Sequence, residues 1–310
     1  MSSKSTTGRY KNTHITRGQK TLLLMTVPSI LFIIVFSYLP ISGWIYSFFD
    51  YRIGYKLSTC EFVGLDNFRY VFGDPYILKV IGNTLIISLA GLLGLPLAGM
   101  IAILLSEVRG RMFKKTVQTA ITIPNFISWI IIYSIMFSLF SNDGLLTTVI
   151  RGITGETEAT TTLLTNPNTA KLFMILTNIW KTVGYNSIIF FAAITGIDSQ
   201  LYDAAAVDGA GRWKKMLHIT IPGMLPTLIT LLIISIGAIL NNGFEQYYVF
   251  VNPMIQEKME VLDYYVYRIG MLNNDIPAST AVSMVKTFIS VGLVFGVNKL
   301  SKKTLGQSIL

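Results

Sequence analysis

Residues 203–222, DAAAVDGAGRWKKMLHITIP, form a compact polar stretch between two long apolar runs. Three consecutive alanines favour a helix, and Gly209 and Gly211 permit a sharp turn. Pro222 suits the first turn of a further helix, where its missing backbone N–H is not needed. We therefore predict a short helix, a turn and a second short helix, with Pro222 starting the next span. A defined element of this kind is typical of a docking surface rather than of a linker.

The composition around this segment is that of a membrane protein. Hydrophobic residues make up 52% of the 310 residues and charged residues only 13%, whereas soluble domains carry about 25% charged residues. The mean hydropathy is +0.56. The net charge of +9 does not point to nucleic acid, because membrane proteins concentrate Lys and Arg in cytoplasmic loops. The single cysteine, Cys60, excludes an intrachain disulfide, and with only two histidines it argues against a zinc site.

Apolar runs with few charges predict an all-α polytopic membrane protein with six transmembrane helices. The predicted spans are residues 21–49, the interval between Lys79 and Glu107, the interval between Lys115 and Asp143, and residues 172–194, 222–242 and 279–297. Pro28 and Pro40 are expected to mark the start and the end of the first span, and Pro124 to kink the third. The first run is too long for the apolar core of a signal peptide, so it is expected to remain uncleaved.

Basic residues determine the orientation of these spans. Six spans place both termini on one side, where Lys and Arg cluster in the N-terminal tail, the loops after spans two and four, and the C-terminus. By the positive-inside rule this side is the cytoplasm, so we expect a plasma (inner) membrane protein with both termini inside. The predicted organisation is a basic tail at 1–20, a first helix and outer loop at 21–77, a core domain at 78–300 that contains the loop 198–222, and a C-terminal tail at 301–310.

Three long loops are predicted on the outer side, at residues 50–76, 141–168 and 243–278. The middle loop is rich in Thr and Asn and is expected to be irregular. In the last loop, apolar residues recur at helical spacing and predict a short amphipathic helix on the outer surface. These residues are Val261, Leu262, Tyr265, Val266 and Ile269.

Motifs for nucleotide binding and hydrolysis are absent from the sequence. It contains no G-x-x-x-x-G-K-[ST], no H-E-x-x-H and no G-x-S-x-G. We therefore predict that the chain is not an enzyme, with no catalytic residue, no metal site and no cofactor of its own.

Polar residues inside or beside the apolar spans predict a hydrophilic path across the membrane. Lys181 and Lys286 interrupt spans four and six, and an intramembrane charge usually faces a partner or a water-filled path. The candidate path residues are Asn178, Trp180, Lys181, Tyr185, Asn241, Asn242, Glu245, Gln246 and Lys286. Two alternatives stay open: Lys286 can snorkel to the outer headgroups, and Lys181 can pair internally with a carboxylate or with carbonyls.

The segment 203–222 resembles the "EAA" loop, E-A-A-x3-G-x9-I-x-L-P, of the permeases of binding-protein-dependent ABC importers. The residues in register with this pattern are Asp203, Ala204, Ala205, Gly209, Ile219, Ile221 and Pro222, and Asp208 and Ala210 fit its common D-G-A extension. Asp203 stands where the family usually has Glu, and Ile221 where it has Leu. Because Asp203 is one methylene shorter, its contact with a partner can shift or pass through a water.

The resemblance covers residues 80–300, and the preceding segment looks like the N-terminal addition of the carbohydrate-uptake branch. Four stretches are similar to complex-oligosaccharide permeases: GNTLIIS at 82–88, WKTVGYNS at 180–187, GFEQYYVFVNP at 243–253 and DYYVYRIG at 263–270. The implied fold is that of a type I ABC importer permease, which works by alternating access. The implied substrate is an oligosaccharide, for which Trp180 and Tyr185 offer stacking surfaces and Lys181 suggests an acidic character.

The resemblance also implies partners. They are a second homologous permease in a heterodimer, two ABC ATPases that bind ATP and Mg, an external substrate-binding protein and membrane lipid, with no nucleic acid. We expect coupling to the ATPases at Asp203, Ala204, Ala205, Asp208, Gly209, Ala210, Arg212 and Pro222.

Two other functions are weighed against this one. A secondary transporter driven by an ion gradient predicts inverted repeats and acidic residues within spans, and the sequence shows neither clearly. An integral-membrane enzyme such as a glycosyltransferase needs a clustered acidic or metal-binding set, which the long loops do not provide.

Overall fold

The computed structural model describes residues 17–154 and 164–305. All regular secondary structure of the described residues is helical, apart from one isolated antiparallel bridge between Phe49 and Phe62. The α-helices are α1 Arg17–Ile33, α2 Asp66–Gly73, α3 Pro75–Gly91, α4 Gly94–Glu107, α5 Arg111–Phe126, α6 Trp129–Phe140, α7 Leu145–Thr154, α8 Ala170–Thr195, α9 Ser199–Val207, α10 Arg212–Lys215, α11 Ile221–Gly237, α12 Phe244–Phe250, α13 Gln256–Met259, α14 Leu262–Tyr267 and α15 Ile276–Leu305. Two 3₁₀ segments, Leu39–Phe48 and Leu57–Thr59, and three π turns, Ile34–Tyr38, Met216–Thr220 and Arg268–Leu272, complete the described helices.

Parts of three predicted segments lie outside the described residues. They are residues 1–16 of the basic tail, residues 155–163 of the middle outer loop and residues 306–310 of the C-terminal tail. Before residue 155 the middle loop contains α7, so the expectation that it is irregular is wrong for that part.

Five helical stretches of the described chain are long and apolar enough to cross a membrane. They are Lys20–Phe48, Pro75–Glu107, Trp129–Ile153, Arg212–Gly237 and Ile276–Lys303. The helix α8 has 26 residues, enough to cross a hydrocarbon layer of about 30 Å, but it is not among the five. Its hydropathy is reduced because Asn178, Lys181 and Asn186 lie in its middle. The all-helical architecture is confirmed, and the sixth span and the location of the termini stay predictions.

Several prolines lie inside helical stretches rather than at their ends. Pro28 lies inside α1, and the first span continues past Pro40 to Phe48, so the expectation that these prolines mark its ends is wrong. One π turn ends two residues before Pro222, and another ends two residues before Pro40. A proline has no N–H to donate, and its ring clashes with the carbonyl four residues earlier, so the wider turn lets the helix continue.

The boundaries of two other predicted spans also differ from the structure. The span predicted to start at Pro222 begins instead at Arg212, and it ends as a helix at Gly237, which leaves Asn241 and Asn242 in the following turn. The third predicted span is not kinked but broken at residues 127–128, just after Pro124.

The third outer loop folds inward onto the helices. The predicted amphipathic helix is confirmed as α14 and the π turn after it, but its apolar face is buried rather than spread on the outer surface. Leu262 is 4% exposed and Ile269 is 7% exposed. The face packs against α2, α3 and α15 in a cluster that includes Val71, Ile77 and Val282.

A buried ion pair fastens this loop. Glu260 is fully buried and accepts hydrogen bonds from Arg268 at 2.6 and 3.1 Å and from the Tyr76 hydroxyl. Burial lowers the pKa of Arg268, but the bond to Glu260 outweighs it, so the net direction is upward. At the surface, the Lys79 ammonium bonds to Glu257 and lowers the pKa of that carboxyl. The Arg268–Glu260 pair thus braces the loop internally, and the loop is held to α3 by the hydrogen bond of Tyr76 to Glu260 and by the exposed Lys79–Glu257 pair.

Candidate docking loop and membrane cavities

The segment 203–222 forms the predicted helix, turn and second helix. Asp198 caps α9, accepting a hydrogen bond from the Gln200 N–H at 2.9 Å. After α9, Gly209 has φ +70°, a left-handed conformation that glycine adopts without a steric cost. The N–H of Ala210 bonds to the Ala205 carbonyl at 2.8 Å, and that of Gly209 bonds to the Ala206 carbonyl at 3.1 Å. These two bonds form a Schellman motif, which fixes the exit direction of the chain.

The loop presents apolar and charged side chains to its surroundings. Val207 is 88% exposed and Trp213 is 75% exposed. A hydrogen bond of 2.9 Å between Tyr202 and Thr220 ties α9 to the π turn before α11. The exposed side chains therefore sit on an element that is anchored to a candidate membrane span.

The structure places the predicted coupling residues along this element. Ala205 and Ala210 are half-buried, and the other six are exposed: Asp203, Ala204, Asp208, Gly209, Arg212 and Pro222. Arg212 is the first residue of α10, and Pro222 is the second residue of α11. The eight residues thus form one continuous surface segment and its attachment to α11.

A cavity of about 300 Å³ lies between α3, α4, α8 and the end of α11. We call it the amide cavity, because four asparagines line it. Its polar lining includes Ser88, Asn178, Thr182, Asn186, Asn241 and Asn242. Three of the predicted path residues, Asn178, Asn241 and Asn242, are therefore brought together.

Hydrogen bonds hold the wall of the amide cavity in place. The Ser88 hydroxyl donates to Asn242 Oδ1 at 3.0 Å, and Asn178 donates to Gln246 Oε1 at 3.2 Å. Gln246 in turn donates to the Met174 carbonyl at 3.0 Å and is 2% exposed. Gln246 therefore supports Asn178 from behind rather than lining the cavity.

Lys181, in the middle of α8, extends its side chain to the break between α5 and α6. Its side chain is buried, and its ammonium donates to the carbonyls of Pro124 and Asn125, both at 3.1 Å, and to that of Ile127. The ammonium also lies 5.2 Å from the ring centre of Trp129. Carbonyls at the end of a helix lack partners within it and attract a cation. The internal pairing with carbonyls is thus observed, and a place for Lys181 on the path stays a prediction.

Three other predicted path residues are separate from the amide cavity. Trp180 and Tyr185 are 42% and 45% exposed, and Glu245 is exposed at the start of α12. The Tyr185 ring packs edge-on against Phe126, with ring centres 6.5 Å apart. Their role on a path stays a prediction that this arrangement does not by itself support.

Lys286 does not snorkel outward. Its side chain is 14% exposed, and its ammonium pairs with Asp263 Oδ1 beneath the third outer loop. The pair lies in a second cavity of about 230 Å³, the Lys286 cavity, lined by Asn241, Asp263, Val266, Ser283, Lys286, Thr287, Ser290 and Val291. Asn241 lines both cavities, so the two share a wall.

Several lining residues were not predicted from the sequence. Thr182 and Asn186 follow Asn178 at intervals of four, so the helical period of α8 could have identified them. Ser88 and Asp263 had no such signal, because each is brought to its cavity by contacts between distant segments. Among residues 17–154 and 164–305, no cluster of His, Cys, Asp and Glu is arranged to hold a metal ion.

Sequence comparisons place this architecture among known transport proteins. Residues 91–302 match the family model described as "Binding-protein-dependent transport system inner membrane component". Protein LplB of Bacillus subtilis (strain 168) is 37% identical over 93% of this chain and 90% of its own length. The polygalacturonan/rhamnogalacturonan transport system permease protein YteP of the same organism is 39% identical, over 92% of this chain and 88% of its own length.

Solved structures share the fold over nearly the whole chain. A chain of a bacterial ABC transporter involved in the import of the acidic polysaccharide alginate is 30% identical, with a TM-score of 0.83 over 93% of this chain and 97% of its own. A chain of the bacterial alginate ABC transporter in complex with an alginate pentasaccharide-bound periplasmic protein gives a TM-score of 0.84 at 30% identity, over 94% of this chain and 98% of its own. The relatives confirm the prediction of a transport subunit that is not an enzyme.

Proposed function

Since the chain belongs to the family of inner membrane components of binding-protein-dependent transport systems, we propose that it forms the translocation path for an oligosaccharide in an ATP-driven importer. In this proposal an external binding protein delivers the oligosaccharide. The chain pairs with a second, homologous permease, and two ATPases on the cytoplasmic side bind ATP and Mg.

The amide cavity is the observation that carries this proposal. Asparagine side chains both donate and accept hydrogen bonds, as sugar hydroxyls do, so a wall of asparagines, serine and threonine can exchange partners with a passing sugar. YteP is named for polygalacturonan and rhamnogalacturonan transport, and the solved structures for alginate. These names support an acidic oligosaccharide as the substrate.

The docking loop supports the coupling role. Val207 and Trp213 are exposed on a rigid element that continues into α11, so a partner that moves this loop would move α11 with it. Asp203 and Asp208 offer polar anchors, and the alanines at positions 204, 205 and 210 offer a small face that can enter a groove. We assign the contact with the ATPases to this surface.

The path is tested with the complete transporter in proteoliposomes, using radiolabelled trigalacturonate and maltotriose as probes. Asn186→Leu replaces a polar group of the amide cavity by an apolar one of similar size, and we expect ATP-dependent uptake of the transported probe to fall about tenfold or more, a change of about 1.4 kcal/mol. Asn273→Leu, on the outer loop, is the control. Normal uptake by Asn186→Leu would contradict the assignment of the path.

A simpler measurement tests whether ATP hydrolysis belongs to partner subunits rather than to this chain. The purified chain without partners is expected to show no ATP hydrolysis, because it has no P-loop. Robust turnover by the chain alone would overturn the proposed function.

A further inference from the structure

The Lys286 cavity contains a charged group with unused hydrogen-bonding capacity. The Lys286 ammonium carries three N–H donors, and within the described residues its one hydrogen-bond partner is Asp263. Lys286 lies in α15, inside the candidate span Ile276–Lys303. Charges inside a membrane are costly and usually have a function, so this ammonium is a candidate for binding a ligand.

Ser290 supplies an independent observation in the same cavity. Its Oγ is buried and has no hydrogen-bond partner among the described residues. A buried hydroxyl without a partner costs about 1–3 kcal/mol, so a bound group that pairs with it is favoured. By contrast, the hydroxyls of Ser283 and Thr287 donate to backbone carbonyls one turn earlier in α15, at 2.9 and 2.8 Å. Ser283, Lys286, Thr287 and Ser290 recur at helical spacing, so they present one polar face.

Asp263 is held so that it can release Lys286. Its second oxygen, Oδ2, accepts a hydrogen bond from the Asn242 backbone N–H at 2.9 Å. The side chain of Asn242 is bonded to Ser88 in the wall of the amide cavity. Asp263 therefore keeps a partner if the ammonium turns away from it, and the ion pair is connected to the path.

We propose that Lys286 binds the carboxylate of an acidic sugar unit. In this exchange the substrate carboxylate joins or replaces Asp263 as the partner of the ammonium, while Ser290 and Asn241 supply hydrogen bonds to the sugar. The cavity of about 230 Å³ is smaller than the roughly 300–1,000 Å³ of pockets for drug-sized ligands, so it suits one sugar unit rather than a whole oligosaccharide. This inference rests on the proposed function.

The charge balance favours an anion over a cation. Both oxygens of Asp263 already have partners, whereas the ammonium has donors left. No other charged residue lines the cavity in the part of the chain that the structure describes. A carboxylate would therefore meet an available cation, and a cation would have to compete with Lys286.

The experiment compares two probes with the same sugar backbone. Trigalacturonate is acidic, and its fully methyl-esterified form is neutral. Uptake of both is measured with the complete, ATP-driven transporter in proteoliposomes, for the wild type and for the double variant Lys286→Met with Asp263→Asn. The double variant leaves no unpaired carboxylate behind, so it avoids the main reason for misfolding. The control removes the exposed pair Lys79–Glu257 by Lys79→Met with Glu257→Gln.

The wild type and the control are expected to prefer the acid, and the double variant to lose this preference by about tenfold or more while still transporting the ester. Ser290→Ala is expected to weaken uptake of the acid more than that of the ester. An unchanged acid-to-ester ratio in the double variant, or an equal loss of both probes, would overturn the inference and leave the proposed function standing. Transport of neither probe by the wild type would contradict the acidic oligosaccharide of the proposed function, and this inference with it.

Discussion

Lys181 illustrates what a single buried charge does in a membrane helix. The sequence shows that it lies within an apolar run and therefore needs a partner, but not which one. The helix α5 ends shortly after Pro124, and the ammonium takes three carbonyls at this break. Within the described residues, only that of Pro124 also accepts a backbone N–H, from Ile127 at 3.3 Å. The partners come from a segment more than 50 residues away, so only the tertiary structure identifies them.

Replacing this lysine tests the structural role. Lys181→Met keeps an unbranched side chain and removes every donor, which leaves the carbonyls of Asn125 and Ile127 without this partner at a cost of about 1–3 kcal/mol each. We expect a lower melting temperature of the detergent-solubilised transporter. Lys115→Met, an exposed lysine of α5, is the control. An unchanged melting temperature, together with a selective loss of acidic substrate, would instead favour a place for Lys181 on the path.

Lys286 also has a partner that the sequence does not identify. The sequence flags it as an intramembrane charge, yet its partner Asp263 lies in a segment predicted to stay on the outer surface. The helix predicted from the spacing of the apolar residues around Asp263 is confirmed. The segment turns inward because this apolar face is buried against α3 and α15, and no local pattern encodes that contact.

At the scale of elements, the helix and turn of the docking loop follow directly from local chemistry. Three alanines favour the helix, and only glycine takes φ +70° without strain. The continuation of α11 back to Arg212 was not predictable, because a proline in a sequence usually signals a helix start. Here a π turn makes room for the ring of Pro222, so the helix continues through this proline instead of starting at it.

The turn gives a prediction for coupling. Gly209→Pro fixes φ near −65° and removes the N–H that bonds to Ala206, so the Schellman motif cannot form. We expect ATP-driven uptake to be lost while the chain still inserts into the membrane. Gly209→Ala is expected to have a smaller effect, since a left-handed non-glycine residue costs about 1–2 kcal/mol.

Gly211 provides the matched control for this turn. It has φ −69° and no atom within 4 Å of an added Cβ, so Gly211→Ala is expected to retain uptake. Uptake and membrane content are measured on the same cells. Full uptake by Gly209→Pro would count against a coupling role for the loop.

At the scale of the whole molecule, hydropathy identifies a membrane protein but not every span. The first span is recognised easily because it is apolar all round, and none of its most apolar window is buried inside the chain. The helix α8 is the opposite case, since it carries polar residues of the amide cavity and Lys181. A helix that lines a path is expected to lose the apolar signal by which spans are found.

The number of spans can be measured from thiol accessibility. With six spans both termini share a side, whereas without α8 as a span the C-terminus lies opposite the N-terminus. Cys60 is the only cysteine and lies in the first predicted outer loop. We expect a membrane-impermeant maleimide to label it in intact cells. In a Cys60→Ser background, Lys115→Cys and Lys303→Cys are expected to react only after permeabilisation.

Each thiol answers a different part of the question. Lys115 follows the second predicted span, so its reactivity reports the orientation of the N-terminal half whether or not α8 crosses the membrane. Lys303 lies near the end of α15, beyond α8, so its side depends on that crossing. Labelling of Lys303→Cys in intact cells, with Lys115→Cys still protected, would show an odd number of spans. The docking loop would then lie outside, out of reach of any cytoplasmic ATPase, and the coupling proposal would fail with the topology.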